Sequence, residues 1–159
     1  MQFVRRILAW WLTLWVTAVV AGTIVKFTVK PEDDPTAPHF SLVAVFDGVD
    51  FRPTTRTLEA SKALTMFGGT RIDLRRAATA DPSEVQLEVT TIMGGVDITV
   101  PDTWRVEVEG PTVMGGREVA VTDPDALPPD APRLRSRART VMGGVRVQAR
   151  PVLASAASV

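Results

Sequence analysis

The sequence predicts an all-β fold, a short parallel β-solenoid of about five turns with Gly-Gly corners, preceded by one N-terminal transmembrane helix. Three observations predict this architecture. A unit centred on paired glycines recurs along the chain, apolar and polar residues alternate around each pair, and an uncharged apolar stretch lies near the N-terminus. Twelve prolines and eleven glycines in 159 residues also argue against a mostly helical protein.

The repeat consists of a large apolar residue followed by two glycines. Four such units occur after a degenerate copy, Phe46-Asp47-Gly48, with spacings of 21, 26, 21 and 28 residues. Glycine permits the tight bend that a corner between two strands needs. The predicted corner glycines are Gly48, Gly68, Gly69, Gly94, Gly95, Gly115, Gly116, Gly143 and Gly144. The residues before them are predicted to stack as a core column of Phe46, Phe67, Met93, Met114 and Met142.

The residues on both sides of each glycine pair alternate with period two. Before the third copy, for example, Val85, Leu87 and Val89 interleave with polar residues. Period two is typical of a half-buried strand, so each unit is predicted to be strand, corner and strand. Such a unit cannot bury its apolar face alone, whereas parallel stacking of successive units about 4.8 Å apart buries a continuous core.

Stacking brings equivalent outward residues side by side, where like charges would repel each other. If successive units are neighbours, Arg105 falls beside Glu84. The column two residues after the second glycine then contains one like-charged pair, Asp97 beside Glu118. In chain order that column is Asp50, Arg71, Asp97, Glu118 and Arg146.

Four arginines at alternate positions before the last glycine pair form a candidate interaction surface. They are Arg133, Arg135, Arg137 and Arg139. The alignment places Arg135 beside Glu107, Arg137 beside Glu109 and Lys62 beside Glu88. A neutralised ladder is therefore the simpler interpretation, and binding of phosphate or an anionic polymer is the alternative.

Arg117 departs from the repeat pattern. It occupies the position that holds Val49, Thr70, Val96 and Val145 in the other copies. Its side chain would have to extend to water at a corner, or the loop after it would have to be irregular.

The N-terminal stretch 7–25 carries no charge and contains three tryptophans. Its nineteen residues would span about 28 Å as a helix, close to the ~30 Å hydrocarbon thickness of a bilayer. The prediction is a single-pass anchor that contacts membrane lipid, and a signal peptide cleaved after Ala21 is the alternative. Arg5 and Arg6 favour an N-terminus inside the cell and an extracytoplasmic solenoid.

These features divide the chain into four predicted parts. Residues 1–27 are the anchor, 28–39 a Pro-rich acidic linker, 40–150 the repeat domain and 151–159 a disordered tail.

The composition offers little equipment for catalysis or for metal binding. The chain has no cysteine, and its one histidine, His39, falls in the linker. Eighteen basic and eighteen acidic residues give zero net charge, which argues against a nucleic-acid partner. No catalytic residue, cofactor or metal site is predicted, and the chain is not expected to be an enzyme.

Two segments resemble the C-terminal domain of the LiaF-like family of cell wall-active antibiotics response proteins. They are the second repeat with its Asp-Leu-Arg at 73–75, and the Val-Pro-Asp-x-Trp-Arg-Val segment at 100–106. The resemblance covers about residues 40–150. It implies a bacterial, often membrane-attached protein, in a family with a member that restrains a histidine-kinase response to envelope stress. This chain differs in having one predicted span rather than several.

Three functions follow as hypotheses. The first is an anchored, non-catalytic envelope protein that binds a membrane or envelope protein, in the stress response or its regulation. The alternative is a structural scaffold that assembles as a homo-oligomer through the solenoid ends. The third, an enzyme acting on envelope glycans, would require catalytic carboxylates such as Asp50 or Asp97.

Overall fold

The computed structural model describes residues 10, 11, 13, 15–17, 20, 34–79 and 84–153. The chain divides into two compact units, Met1–Lys30 and Pro31–Val159. In the first unit Trp10, Trp11 and Trp15 are exposed on helical backbone. The described residues include no helix long and apolar enough to cross a membrane. Most of the predicted span 7–25 lies outside the described residues, and its role as an anchor stays a prediction.

The described part of the second unit is built from parallel β-strands. In chain order they are β1 (Ser41–Val45), β2 (Gly48–Phe51), β3 (Ser61–Met66), β4 (Gly68–Asp73), β5 (Glu84–Pro101), β6 (Arg105–Glu109), β7 (Thr112–Ala120) and β8 (Arg133–Arg150). A short 3-10 helix, Pro124–Ala126, follows β7. Every strand pairing among these residues is parallel, so the predicted all-β class and parallel sheet are confirmed.

Each repeat forms one level of a stack, and we number the levels 1 to 5 in chain order. Level 1 is β1 and β2, level 2 is β3 and β4, level 3 is β5, level 4 is β6 and β7, and level 5 is β8. The corner glycines of paired levels stand in register, with Gly94 opposite both Gly68 and Gly143, and Gly115 also opposite Gly143.

The order of the levels in space differs from their order in the chain. β8 pairs with β5 on one side and with β6 and β7 on the other, so level 5 lies between levels 3 and 4. The expectation that all successive units are neighbours is therefore wrong for levels 3 and 4, which level 5 separates. Asp97 lies opposite Arg146 rather than beside Glu118.

The inward side chains explain this exchange. Val145 and Val147 of level 5 are buried, with 2% and 0% exposure. The level-4 residue opposite Val145 is Arg117, which is exposed at the end of the stack. Burying an arginine without a partner is costly, so the level that carries it is placed where its side chain reaches water.

A turn at residues 101–104 carries the chain from level 3 past level 5 to level 4. The Asp102 N–H donates to the Arg150 carbonyl at 3.0 Å, which ties the turn to the end of β8. The Thr122 hydroxyl donates to the Asp102 carbonyl at 2.8 Å. Trp104, the last residue of the turn, is buried.

The core fills the inside of the corner between the two halves of each level. Its inward columns are apolar, as in Ile72, Ile98 and Val147, which are all fully buried. Thr65, Thr91 and Thr140, each three residues before a glycine pair, are also buried. The Thr65 hydroxyl lies 2.6 Å from that of Thr70 across the corner.

The predicted core column is wrong in its location. Phe46, Phe67, Met93, Met114 and Met142 are 38–55% exposed. In level 2 both Thr65 and Thr70 point inward, so the four residues between them pass around the outside of the bend. The strand alternation stops at the corner, which directs the residue before each glycine pair to solvent instead of the core.

The described end of the predicted linker is not a free, extended segment. The Thr54 N–H donates to the Pro35 carbonyl and the Glu59 N–H to the Pro38 carbonyl, both at 2.7 Å. Residues 34–39 are thus tied to the loop that follows β2. In the predicted tail, residues 151–153 are exposed and irregular, and the rest lies outside the described residues.

The two glycines of one corner should respond very differently to substitution. A Cβ on Gly94 would lie 2.0 Å from the Gly68 carbonyl oxygen, and its φ is +151°, whereas a Cβ on Gly95 would lie 3.9 Å from the nearest atom. We expect Gly94→Ala to lower the free energy of unfolding by more than about 2 kcal/mol and Gly95→Ala by less than about 1 kcal/mol. Urea unfolding followed by circular dichroism measures both. Equal losses would contradict the close contact.

Candidate interaction surface

An exposed row of large apolar side chains runs along the outside of the corners. We call it the corner ridge, and in stack order it consists of Phe46, Phe67, Met93, Met142 and Met114. The Phe46 and Phe67 rings are stacked, with centroids 4.9 Å apart and planes 9° apart. Five levels at about 4.8 Å spacing make the ridge roughly 19 Å long.

A second apolar column lies directly before the ridge in each level. Val45 is buried at one end of this column, whereas Val141 is 48% and Val113 73% exposed towards the other. Met66 and Ile92, between them, are half-buried. The ridge and this column together form the apolar band, which is two side chains wide and spans all five levels.

The two phenylalanines of the band have strained backbones. Phe46 has φ +55° and Phe67 has φ +53°, in the left-handed region that bulky residues rarely adopt. Glycine or asparagine would adopt this conformation at lower cost. Because the rings are 50% and 38% exposed, burial offsets only part of the strain.

A ladder of alternating charges runs along the other side of the corner glycines. In stack order it is Asp50, Arg71, Asp97, Arg146 and Glu118. The Arg146 guanidinium lies 2.8 Å from a Glu118 oxygen and 3.7 Å from an Asp97 oxygen, and these contacts raise the pKa of Arg146. The exchange of levels therefore removes the one like-charged contact that the chain order predicts in this column.

The second glycines form a shallow floor between the ridge and the ladder. Because they carry no side chains, they leave two grooves of about 360 and 380 Å³. Gly95 lines both grooves, together with Gly116 and Gly144 in one and Gly48 and Gly69 in the other. The surface outside the corner thus combines an apolar side, a glycine floor and an ionic side.

The candidate arginine row is neutralised by acidic neighbours on both sides. Arg135 contacts Glu84 at 3.6 Å and Glu109 at 3.4 Å, and Arg139 contacts Glu88 at 3.4 Å. Arg137 lies in register between Glu88 and Glu109. The expected neighbours Arg135 and Glu107, Arg137 and Glu109, and Lys62 and Glu88 are found in register.

One predicted pair in this region is wrong. Arg105 does not lie beside Glu84, because Arg133 of level 5 lies between them. Two of the four arginines in the row form ion pairs and a third lies between two glutamates, which favours the neutralised ladder over anion binding.

Arg75 and Asp73 form the least exposed ion pair among the described residues. Their side chains are 22% and 12% exposed, and two hydrogen bonds of 2.9 and 2.7 Å join them. These hydrogen bonds lower the pKa of Asp73 against the opposing effect of burial. The carboxylate is thus held by a residue of its own segment rather than by a neighbouring level.

The arrangement offers apolar and ionic contact rather than a cluster of reactive groups. Among residues 34–79 and 84–153, no group of three or more acidic or histidine side chains is placed to hold a metal ion. His39 is exposed before β1.

Comparison with known proteins adds no relative, since no family model, curated protein or solved structure matches the chain. The resemblance to the LiaF-like family therefore stays a prediction that rests on the quoted segments.

Asp73 should make stability depend on pH. Its carboxyl has a lowered pKa in the folded state, so its contribution is present above the unfolded value of about 4 and is lost as the pH falls through the folded value. We expect Asp73→Asn to lose about 1 kcal/mol at neutral pH, and the difference from the native chain to shrink below about pH 4. Urea unfolding across this pH range measures it. The exposed Asp130→Asn is the control, and an equal loss there would contradict the assignment.

Reversing one charge in the ladder should test its ionic contacts. Arg146→Glu would place three carboxylates in adjacent levels, so we expect a lower Tm that recovers partly as salt screens the repulsion. Gln148→Glu is the matched control, because its register neighbours Thr99 and Ala120 carry no charge. A Tm that falls equally in both variants, or does not respond to salt, would contradict the ionic contacts of Arg146 in the ladder.

Proposed function

We propose that the stack is a short β-solenoid with its last two levels exchanged, and that it is a non-catalytic module that binds a partner protein through the apolar band. The observation that carries this proposal is the band itself. A fold that buries its aliphatic residues inside the corner keeps a second apolar row, 38–55% exposed, along the outside. Continuous exposed apolar surface of this kind is typical of interaction sites.

The energetics support binding rather than stability as the role of this row. Covering the exposed half of a Phe or Met side chain is worth on the order of 1 kcal/mol. Five such side chains in line could therefore supply the apolar part of a specific interface. The left-handed backbones of Phe46 and Phe67 lower stability, which is expected where a side chain is retained for binding.

The proposed partner is a membrane or envelope protein with an elongated apolar surface bordered by charges. The ladder of Asp50 to Glu118 beside the glycine floor would fix the position of such a partner along the stack. The predicted anchor at 7–25 and the LiaF-like resemblance favour a role in the envelope stress response or its regulation. Within this proposal the chain is a single-pass membrane protein with an extracytoplasmic solenoid.

Site-specific photo-crosslinking in intact cells tests the proposal. A photoreactive residue in place of Met93, in the middle of the corner ridge, should yield one discrete protein adduct. The same residue in place of the exposed Asp130, in the loop between β7 and β8, is the matched control and should not. Adducts to lipid alone at Met93 would instead indicate that the band faces a membrane surface, and would overturn the proposal.

A variant of Phe67 separates binding from folding. Asparagine tolerates the left-handed backbone, so we expect Phe67→Asn to change the free energy of unfolding by less than about 1 kcal/mol. The adduct at Met93 should nevertheless be lost, because an aromatic side chain of the ridge is missing. Retention of the adduct in a folded Phe67→Asn protein would show that the ridge does not bind the partner.

A further inference from the structure

The two ends of the stack differ in how well their inward side chains are covered. At the level-1 end Leu42, Ala44 and Phe51 are buried, with 2%, 1% and 6% exposure. At the level-4 end Val119 is 43% exposed, and nearly all of β7 faces solvent. Among the described residues, the level-4 end is therefore the more open of the two.

The open end also carries strand edges without a neighbour. Among the described strands β6 and β7 pair only with β8, so the other side of each is free of strand partners. β7 is nine residues long and includes Val113, which is 73% exposed. A long edge with apolar residues is a template for pairing with another chain.

Arg117 lies across this open end. It stands on β7 opposite the buried Val145, so its side chain starts from an inward position. Its guanidinium donates to the carbonyl oxygen of Val108 at 3.3 Å and to that of Gly110. The side chain thus joins the two strands of level 4 and occupies two backbone acceptors there.

We infer that Arg117 prevents the open end from pairing with a second copy of this chain. A further level laid against level 4 would cover the guanidinium and separate it from water. It would also compete for the carbonyl groups of Val108 and Gly110. An inward-pointing charge on an edge strand is a recognised means of blocking such association.

β1 and β2 also have a free edge among the described strands, but these strands are five and four residues long and their inward residues are mostly buried. We therefore expect copies to pair through level 4 into a closed dimer rather than to add head to tail into a filament. Removal of Arg117 should therefore give a dimer joined through level 4 of both copies. This inference concerns the end of the stack, which shares Val113 and Met114 with the apolar band but does not depend on partner binding there.

The test is the oligomeric state of the full-length chain in mild detergent, measured by analytical ultracentrifugation over a concentration series. We expect the native chain to remain monomeric and Arg117→Val to form dimers, with self-association at least roughly tenfold tighter. Arg133→Val removes an exposed arginine from the middle of the stack and should remain monomeric. Arg117→Val with Val119→Lys returns a charge to the same strand and should restore the monomer.

Circular dichroism establishes that each variant is folded. Arg117→Gln, which removes the charge and keeps a hydrogen-bond donor, is the second variant and should also strengthen self-association. A native chain that already dimerises through level 4 would overturn the inference. So would folded Arg117→Val and Arg117→Gln proteins that stay monomeric, or variants that grow into filaments.

Discussion

The close contact between the first glycine of one level and the backbone of the next is the constraint on which the stack depends. At Gly68, Gly94, Gly115 and Gly143 a Cβ would lie 1.6–2.1 Å from a carbonyl oxygen of the neighbouring level. No side chain fits in that space, so each level that makes this contact has glycine there. Asp47 holds the equivalent position only in level 1, at the end of the stack. The parallel pairing, the inward threonines and the outer apolar band all follow from corners held in line.

Much of the fold could be predicted because its signals are local. Paired glycines and period-two alternation identify strands and corners without knowledge of distant contacts. The position of Phe67 and Met93 could not be read from alternation, because the period is interrupted at the bend. At the bend, a residue that continues the inward alternation in the sequence is turned outward. Only the geometry of the corner reveals this change of side.

The order of the levels differs from the order that the repeats predict, although the sequence contains a signal for it. With Arg146 placed between Asp97 and Glu118, the ladder alternates in sign along its whole length. In the same order Arg137 separates Glu88 from Glu109, which would otherwise be neighbours. Arg117 in an inward position gives a third indication, since such a level belongs at an end. Each signal depends on pairing across the repeats rather than on local pattern, and none is strong alone.

The central place of β8 has a consequence for how the protein is made. The strand that completes the core leaves the ribosome after all the other described strands, and the surface on which level 4 docks belongs to β8. A chain cut short before residue 133 lacks an inner layer rather than an outer one. Assembly level by level in chain order therefore cannot give this structure, and quality control during synthesis would encounter a half-built sheet until β8 is in place.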